Sequence, residues 1–347
     1  MRYLYPGSFC PPTYGHLRIL ERASAVFGPV EVICSENPNK DNRWFTPREC
    51  KKLWMAYRLP AGTRVRTLSE VLSEREGRRG GITLIAGVRN KKDFECQARN
   101  AFENHERFGI GNFHYLFSED VCAGISSSAA RDSASNLRLE ELPRYLAPLT
   151  VSAMLEKALG VQDIYLVVGK PGSGKSSFLK ELSCVDSRNH IIKADDWNED
   201  FKPLLRERFG SGDLVRLVIE NREAVGELLG AAWFSRLTFA LKEVPRGASI
   251  YVEAAYGLME DKRLYRFLGG KVIQVTCGGR DVNLRRVLSR GTPEHVPFID
   301  VIPGEGEARI IAQKEMLNLQ VIDNSDGEKE LKRLAREWDV KTKRKDG

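Results

Sequence analysis

Residues 164–176 run Ile-Tyr-Leu-Val-Val-Gly-Lys-Pro-Gly-Ser-Gly-Lys-Ser, an apolar stretch that leads directly into a glycine-rich turn. The apolar part, Ile164 to Val168, is typical of a strand that is buried on both faces of a parallel sheet. The turn matches the pattern GxxxxGK[ST], and an amphipathic segment, Phe178 to Leu182, follows it. A strand, a turn of this kind and a helix in that order predict an α/β fold with a phosphate-binding loop.

The glycine-rich turn has the chemistry that a nucleotide needs. Glycines let the backbone curl, so that successive N–H groups and the next helix N-terminus face phosphate oxygens. Lys175 would reach the β and γ phosphates of ATP, and the Ser176 hydroxyl would bind Mg²⁺. The predicted nucleotide-binding residues of this loop are Gly169, Gly172, Ser173, Gly174, Lys175, Ser176 and Ser177.

Charged residues follow the later predicted strands of the same half. Asp195 comes after Ile191-Ile192, where it would accept the proton of an attacking hydroxyl and bind the metal, although aspartate is also common as a helix N-cap. Glu253 ends the next strand and is a candidate to hold a water of the metal ion. Arg286 and Arg290 share a helix face, which suits either charge neutralisation during phosphoryl transfer or a solvated surface.

This second half resembles the small-molecule P-loop kinases, and among them the dephospho-coenzyme A kinases. The resemblance rests on the loop, on Ala194-Asp195, on Phe209-Gly210 and on residues 321–325, Val-Ile-Asp-Asn-Ser. It implies that Asp195 is the base for a ribose 3′ hydroxyl. Lys170-Pro171 and Lys193 depart from that pattern, and the loop with Asp195-Asp196 is equally similar to polynucleotide-type kinases, so the acceptor stays open.

A second glycine- and proline-rich stretch follows the first predicted strand, Tyr3 to Tyr5. Residues 5–16 run Tyr-Pro-Gly-Ser-Phe-Cys-Pro-Pro-Thr-Tyr-Gly-His, and a helix is predicted to begin near Gly15. His16 at this helix N-terminus, beside Thr13, would donate hydrogen bonds to a phosphate whose charge grows in the transition state. The stretch therefore predicts a second nucleotide site.

The first half, residues 1–160, resembles the phosphopantetheine adenylyltransferases of the nucleotidyltransferase superfamily. Besides residues 5–16, the matching motifs are residues 37–40 (Asn-Pro-Asn-Lys), residues 45–49 (Phe-Thr-Pro-Arg-Glu), residues 87–89 (Gly-Val-Arg), residues 93–95 (Asp-Phe-Glu) and residues 125–128 (Ile-Ser-Ser-Ser) with Arg131. The resemblance implies transfer of AMP from ATP to the phosphate of 4′-phosphopantetheine, with release of pyrophosphate.

Residue roles in this half follow from the same resemblance. Thr13 and His16 would grip the ATP phosphates, and Ser8 and Lys40 would hold the acceptor phosphate. Arg89 would contact the nucleotide, and the helix start after Ile125 would hold the leaving phosphates or serve only as an ordinary helix cap. The predicted site comprises Ser8, Phe9, Thr13, His16, Lys40, Gly87, Arg89, Ser126, Ser127 and Ser128.

Three positions of the first half depart from the pattern of the adenylyltransferases. Cys10 stands where that family has aspartate, Gln97 where it has glutamate, and Ala86 where it has an arginine that contacts the acceptor phosphate. Loss of that arginine would remove a contact worth about 1.5–3 kcal/mol unless Lys91 or Lys92 substitutes.

A length of 347 residues suits two domains. Both halves alternate apolar runs with amphipathic stretches, which predicts two Rossmann-like domains with parallel sheets. The two resemblances imply that these are a nucleotidyltransferase fold followed by a P-loop kinase fold. A helix over Thr150 to Gly160 closes the first half and places the boundary near residue 160, between domains 1–160 and 161–347. The predicted strands are Tyr3 to Tyr5, Val30 to Cys34, Arg64 to Leu68, Ile82 to Ala86, Phe113 to Phe117, Ile164 to Val168, Ile191 to Ile192, Ser249 to Val252 and Lys271 to Val275.

Composition narrows the class of protein and its partners. An apolar fraction of 42% and a charged fraction of 29% argue against disorder, and the chain shows neither a stretch able to span a bilayer nor a secretion signal. Its seven cysteines contain no CxxC pair, which favours free thiols in the cytoplasm. The net charge of +7 fits small phosphorylated substrates as well as nucleic acid, and whether the chain forms a homo-oligomer stays open.

Together the two halves predict a bifunctional enzyme that uses ATP and Mg²⁺. The product of an adenylyltransferase would be the substrate of a dephospho-coenzyme A kinase, as in a coenzyme A synthase. One alternative joins a nicotinamide mononucleotide adenylyltransferase to a ribosylnicotinamide kinase, and another is a kinase that acts on nucleic-acid ends.

Overall fold

The computed structural model describes residues 1–36, 44–73, 81–118, 124–253, 263–302 and 304–343. Its strands form two parallel sheets, each of five strands. The chain divides into two compact units, Met1–Thr150 and Val151–Gly347, and one sheet lies in each. The α/β class and the two Rossmann-like parallel sheets that the sequence predicts are therefore confirmed.

The sheet of the first unit has the order β3-β2-β1-β4-β5. Its strands are β1 (Arg2–Gly7), β2 (Val30–Cys34), β3 (Arg64–Thr67), β4 (Ile82–Val88) and β5 (Asn112–Phe117). β1 pairs with β2 on one side and with β4 on the other, so the direction of winding reverses between β1 and β4. Ligands of open α/β sheets bind outside the carboxyl ends of the strands at such a point.

Helices and their caps position the loops of the first unit. Thr13 caps α1 and Thr46 caps α2, each in a capping box, and Pro47 opens α2 as its sequence predicts. Buried Leu4, Ile33 and Leu84 form the core under one face of the sheet. The helices are α1 (Tyr14–Phe27), α2 (Pro47–Trp54), α3 (Leu68–Ser73), α4 (Lys91–Phe108), α5 (Ser127–Ser135) and α6 (Leu142–Tyr145).

The sheet of the second unit has the order β10-β9-β6-β8-β7. Its strands are β6 (Asp163–Val168), β7 (Asn189–Lys193), β8 (Ser249–Glu253), β9 (Lys271–Thr276) and β10 (Asn318–Asp323). β10 is not among the predicted strands, because at the edge of the sheet it alternates exposed with partly buried residues up to buried Ile322 and forms no continuous apolar run. The other four match their predicted positions.

A short 3-10 turn, Ala194–Trp197, follows β7 in the second unit. Tyr165, Phe178 and Trp338 lie in the apolar core between the sheet, α8 and α15. The helices are α7 (Pro148–Leu159), α8 (Lys175–Val185), α9 (Asn198–Phe209), α10 (Leu214–Lys242), α11 (Arg263–Leu268), α12 (Arg280–Ser289), α13 (Val296–Val301), α14 (Glu305–Glu315) and α15 (Glu328–Lys343).

The division between the units falls inside α7, about ten residues before the predicted boundary at 160. Glu156, in the second half of this helix, accepts a hydrogen bond from the N–H of Ile164 at 3.2 Å and pairs with Lys271 at 2.7 Å. These contacts attach the end of α7 to the second sheet. The helix itself ends before Gly160, whose φ of +67° is left-handed, as the sequence predicts.

Within the described residues, no helix combines the length and the apolar character that crossing a membrane requires.

Candidate nucleotide-binding sites

A cavity of about 400 Å³ lies at the carboxyl ends of β1 and β4, and we call it the first-unit cavity. One wall comes from β1 and α1, a second from β4 and α4, and a third from the segment that leads into α5. Its lining residues are Tyr5, Pro6, Ser8, Phe9, Gly15, His16, Ile19, Ala86, Gly87, Val88, Arg89, Lys92, Asp93, Cys96, Gln97, Asn100, Ser118, Ile125, Ser126, Ser127 and Ser128. The cavity thus brings together most of the residues predicted for the first half.

The loop between β1 and α1 holds His16 through Thr13. The N–H of Thr13 donates to His16 Nδ1 at 3.1 Å, and the buried Thr13 hydroxyl accepts from the N–H of His16 at 3.4 Å. Because Nδ1 accepts this bond, a neutral His16 carries its proton on Nε2. The ring of Phe9 meets the His16 ring edge-to-face at 5.1 Å, which fixes its plane.

The three serines at the start of α5 line the cavity, but their hydroxyls already have partners. Ser126 caps α5 by accepting from the N–H of Ala129 at 3.1 Å, and Ser127 donates to the carbonyl of Pro11 at 2.7 Å. Ser128 accepts from Arg131 at 3.1 Å. A phosphate at this point would therefore meet the backbone N–H groups of the first turn, and the cap and the anion site coexist.

The wall from β4 and α4 carries the remaining charges. Gly87 lets this wall approach α1, since a Cβ there would lie 3.0 Å from a side-chain carbon of Ile19. Arg89 forms a two-point ion pair with Asp93, at 2.6 and 3.2 Å. Lys92 also lines the cavity, whereas Lys91 is not among the described lining residues.

One residue of the site predicted for the first half is not described by the structure, and two further residues line the cavity. Lys40 lies outside the described residues, so its expected contact with the acceptor stays a prediction. Cys96 and Asn100 line the cavity and were missed, although their spacing from Lys92 places all three on one face of a helix.

Cys10 lies just outside the cavity lining, buried against Phe45 and Cys50. Its sulfur accepts a hydrogen bond from the N–H of Phe45 at 3.3 Å. A hydrogen bond from the Cys50 thiol, helped by the backbone near Phe45, holds the pKa of Cys10 below its usual range, while the same pairing and burial raise the pKa of Cys50.

The phosphate-binding loop of the second unit is held in left-handed backbone that favours glycine. Gly172 and Gly174 have φ values of +79° and +100°, and a Cβ at Gly174 would lie 2.3 Å from the side-chain nitrogen of Asn324. Lys175 donates to the carbonyl of Gly169 at 3.1 Å. The Ser173 hydroxyl is buried and forms no hydrogen bond in the described part of the chain.

Ser176 and Glu253 meet beside this loop. The Ser176 hydroxyl donates to Glu253 Oε1 at 2.7 Å, and Glu253 is only 3% exposed at the end of β8. In the register of the sheet Glu253 lies opposite Lys193, after which the 3-10 turn that contains Asp195 begins. The backbone of Asp195 is therefore at the predicted strand end, while its side chain lies outside the described part.

These groups fit a magnesium ion. A hydroxyl and a carboxylate are hard oxygen ligands, and Mg²⁺ usually takes one or two such groups plus substrate phosphates and water. The described residues contain no cluster of three or more His, Cys, Asp or Glu side chains that could hold a metal ion by themselves. Ser176 and Glu253 would thus share the ion with a bound nucleotide.

A cleft of about 450 Å³ beside the loop contains both predicted arginines, and we call it the second-unit cleft. Arg286 donates to the carbonyls of Gly172 at 3.3 Å and Asn324 at 3.1 Å, so it fastens the loop to the segment after β10. Asn324, missed as a site residue, donates to the Ser173 carbonyl at 2.9 Å. The lining residues are Gly174, Ser177, Lys180, Glu181, Arg286, Ser289, Arg290, Asn324, Gly327 and Leu331.

Comparison with known proteins agrees with the geometry of the first unit. A family model described as cytidylyltransferase-like matches residues 4–133. The phosphopantetheine adenylyltransferase of Heliobacterium modesticaldum is 30% identical over 154 residues, which cover 44% of this chain and 90% of that protein. The chain belongs to the phosphopantetheine adenylyltransferase family. The member from Aquifex aeolicus is 32% identical over 136 residues and is covered to 83%.

Two solved structures are also similar to this chain. TT1252 from Thermus thermophilus has a TM-score of 0.39 and 21% identity, over 51% of this chain and 95% of that one. A NadR protein in complex with NAD and AMP-PNP has a TM-score of 0.32 and 12% identity, over 96% of this chain and 93% of that one. The membership of the phosphopantetheine adenylyltransferase family rests on the sequence comparison and makes the first unit a nucleotidyltransferase-type enzyme domain.

Proposed function

We propose that the first unit transfers AMP from ATP to the phosphate of 4′-phosphopantetheine and releases pyrophosphate. The observation that carries this proposal is the first-unit cavity, which gathers the family's motif residues from three separate segments around one space. Small ligands of α/β sheets bind at this place, between the strands where the winding reverses.

In this proposal His16 is the main electrostatic group of the reaction. Its Nδ1 is held by the N–H of Thr13, so Nε2–H is the donor that meets the phosphate of ATP as negative charge grows there. The N–H groups at the start of α5 would receive the leaving pyrophosphate. No side chain forms a covalent intermediate, because positioning and charge stabilisation are sufficient for transfer between phosphates.

The adenylyl transfer is tested by mass spectrometry of the pure protein with Mg-ATP and one acceptor at a time. We expect dephospho-coenzyme A from 4′-phosphopantetheine, and a loss of about 10²–10³-fold in rate for His16→Ala. Nicotinamide mononucleotide serves as the competing acceptor. A product from that acceptor alone would overturn the assignment of the substrate.

We further propose that the second unit is a P-loop kinase that phosphorylates the ribose 3′ hydroxyl of dephospho-coenzyme A. The phosphate-binding loop, complete from Gly169 to Ser176, supports a nucleotide site, and the bond between Ser176 and Glu253 supports a place for the metal beside it. Magnesium, when bound, neutralises charge on the transferred phosphate. Lys175 would bind the outer phosphates, and Asp195 would accept the proton of the attacking hydroxyl.

This second activity is tested with dephospho-coenzyme A, nicotinamide riboside and a 5′-hydroxyl oligonucleotide as acceptors. We expect phosphorylation of dephospho-coenzyme A, reduced about 10²-fold or more by Lys175→Ala. The same variant should keep its adenylyl transfer, which shows that the chain remains folded. Coenzyme A formed at an undiminished rate by Lys175→Ala would contradict the kinase proposal.

A further inference from the structure

The charges that line the first-unit cavity do not cancel. Arg89 is neutralised by the two-point ion pair with Asp93, the single described carboxylate of the lining. Lys92 lines the same cavity and forms no ion pair in the part of the chain that the structure describes. The described lining therefore presents one uncompensated ammonium group to whatever enters.

Lys92 stands on a distinct face of the first turns of α4. Cys96 and Asn100 follow it at intervals of four residues, and these three line the cavity together with Gln97. Apart from Asp93, which is engaged by Arg89, this face carries neutral polar side chains next to the lysine. An anion bound along α4 would meet Lys92 as its cation and amide groups as further donors.

The position of this face separates it from the groups that would hold the ATP phosphates. His16 and the N–H groups of α5 belong to the two other walls of the cavity. β4 runs to Val88, and near its end the side chain of Ala86 brings neither a charge nor a hydrogen-bonding group to this wall. Arg89 of the same wall is already paired with Asp93, so among the described lining residues Lys92 is the cation without a carboxylate partner.

We infer that Lys92 forms the anion subsite of the first-unit cavity and that this subsite takes the phosphate of the acceptor. The inference rests on the proposed adenylyl transfer and names the residue that selects a phosphorylated acceptor over its dephosphorylated form. An ammonium group is suited to this role because it is a point charge on a flexible stem that follows a moving phosphate.

The first test measures binding without turnover, through Cys96. This cysteine is exposed, free and part of the cavity lining, so a bound acceptor should slow its alkylation by iodoacetamide. Peptide mass spectrometry follows Cys96, with exposed Cys184 of α8 as the internal reference. We expect 4′-phosphopantetheine to protect Cys96 and to leave Cys184 unchanged.

Substitution of Lys92 and removal of the ligand phosphate then form a double-mutant cycle. In Lys92→Ala, about tenfold more 4′-phosphopantetheine should be needed for equal protection, since an exposed ammonium contributes less than a buried one. Pantetheine, which lacks the phosphate, should protect weakly and equally in both proteins. The matched control is Lys91→Ala, because its side chain is not among the described lining residues.

The second test restores the charge from another position on the same wall. The double variant Lys92→Ala with Ala86→Arg should regain most of the affinity for 4′-phosphopantetheine, since Ala86 lines the same cavity. In steady-state assays Lys92→Ala should raise the KM of the acceptor about tenfold and leave the KM of ATP within about twofold.

The outcomes separate this inference from the proposed function. Equal losses for pantetheine and 4′-phosphopantetheine, or a raised KM for ATP alone, would overturn the role of Lys92. If 4′-phosphopantetheine fails to protect the wild-type protein but nicotinamide mononucleotide protects it, the proposed acceptor is wrong. The same cycle is then run with nicotinamide mononucleotide and nicotinamide riboside, which also differ by one phosphate.

Discussion

At the scale of single residues, the two units rely on different kinds of charged contact. In the second unit a buried carboxylate, Glu253, accepts a hydrogen bond from the Ser176 hydroxyl at 2.7 Å. In the first unit the sulfur of a buried thiol, Cys10, accepts a hydrogen bond from the N–H of Phe45 at 3.3 Å, and its pKa is lowered. Each group is buried with a donor, which is the condition under which a charge is tolerated in a protein interior.

The first prediction concerns Glu253. Glu253→Gln keeps the shape of the side chain but removes the charge that would hold a magnesium ion or its water. We expect a loss of about 10²-fold in kinase rate and a higher Mg²⁺ concentration for half-maximal activity, with unchanged adenylyl transfer. Glu243→Gln, at an exposed glutamate that ends α10, is the control. Equal Mg²⁺ dependence in wild type and Glu253→Gln would contradict a metal role.

The second prediction concerns the ionisation of Cys10. Its pKa is depressed in the folded protein, so the thiolate forms below pH 8.5, the approximate pKa of a free cysteine. The stabilisation is fully present above the unfolded-state pKa and is lost as the pH falls through the folded-state pKa. We expect the thiolate absorbance near 240 nm to rise at lower pH in wild type than in Cys10→Ser. The control Cys184→Ser should leave unchanged the rise in absorbance that wild type shows at the lower pH.

At the scale of elements, the phosphate-binding loop is shaped by contacts from distant parts of the chain. Arg286 of α12 and Asn324 after β10 both bond to loop carbonyls, of Gly172 and of Ser173. The sequence predicts Arg286 as a group for the transferring phosphate, which stays a prediction, and the structure adds that its guanidinium donates to the carbonyls of Gly172 and Asn324. The spacing of residues along a helix predicts which of them share a face, but it does not predict which other part of the chain that face contacts.

The third prediction concerns Gly174, where both the left-handed backbone and the close approach of Asn324 require a glycine. It has a positive φ, and a Cβ would meet Asn324, whereas Gly210 has a φ of +71° with open space around it. Gly210→Ala should therefore lower the free energy of unfolding by about 1–2 kcal/mol and leave the affinity of the second unit for ATP unchanged. Gly174→Ala should abolish measurable ATP binding by the second unit in calorimetry, with the Lys175→Ala protein as reference. ATP affinity preserved in Gly174→Ala would show that the loop tolerates the displacement of Asn324.

The sequence predicts an element well when the residues of that element alone specify its structure, and poorly when packing against distant parts of the chain decides it. The sequence predicts β6 and the loop after it, because a continuous apolar run indicates a buried strand and three glycines in a short stretch indicate a tight turn. It does not predict β10, because an edge strand lacks that run. The same holds for the candidate sites: the motif residues of the first-unit cavity were predicted, while Cys96 and Asn100 carry no motif and line it only because β4 and α4 pack beside β1.

At the scale of the whole molecule, two units with separate sheets each contain a candidate site at the carboxyl ends of their strands. The proposed function would account for the net charge of +7 through the lysines and arginines of two phosphate sites. After the division of the chain, Lys271 of β9 pairs with both Glu156 of α7 and Asp163 of β6 in a partly buried ionic cluster. Burial raises the pKa of Glu156, and Lys271 opposes that effect.

The last prediction uses this cluster to locate the boundary. Fragment 148–347 keeps all of α7, whereas fragment 161–347 loses Glu156 and leaves the partly buried Lys271 with Asp163 alone. Removing one partner of a partly buried ion pair leaves the other charge less well compensated, at a cost between that of an exposed pair, about 0–1 kcal/mol, and that of a buried one, about 3–5 kcal/mol. We expect 161–347 to unfold at a clearly lower urea concentration than 148–347, or to be recovered only as aggregate. Glu156→Gln in the full chain should shift the same transition in the same direction, and equal stability of the two fragments would place the boundary at 160 after all.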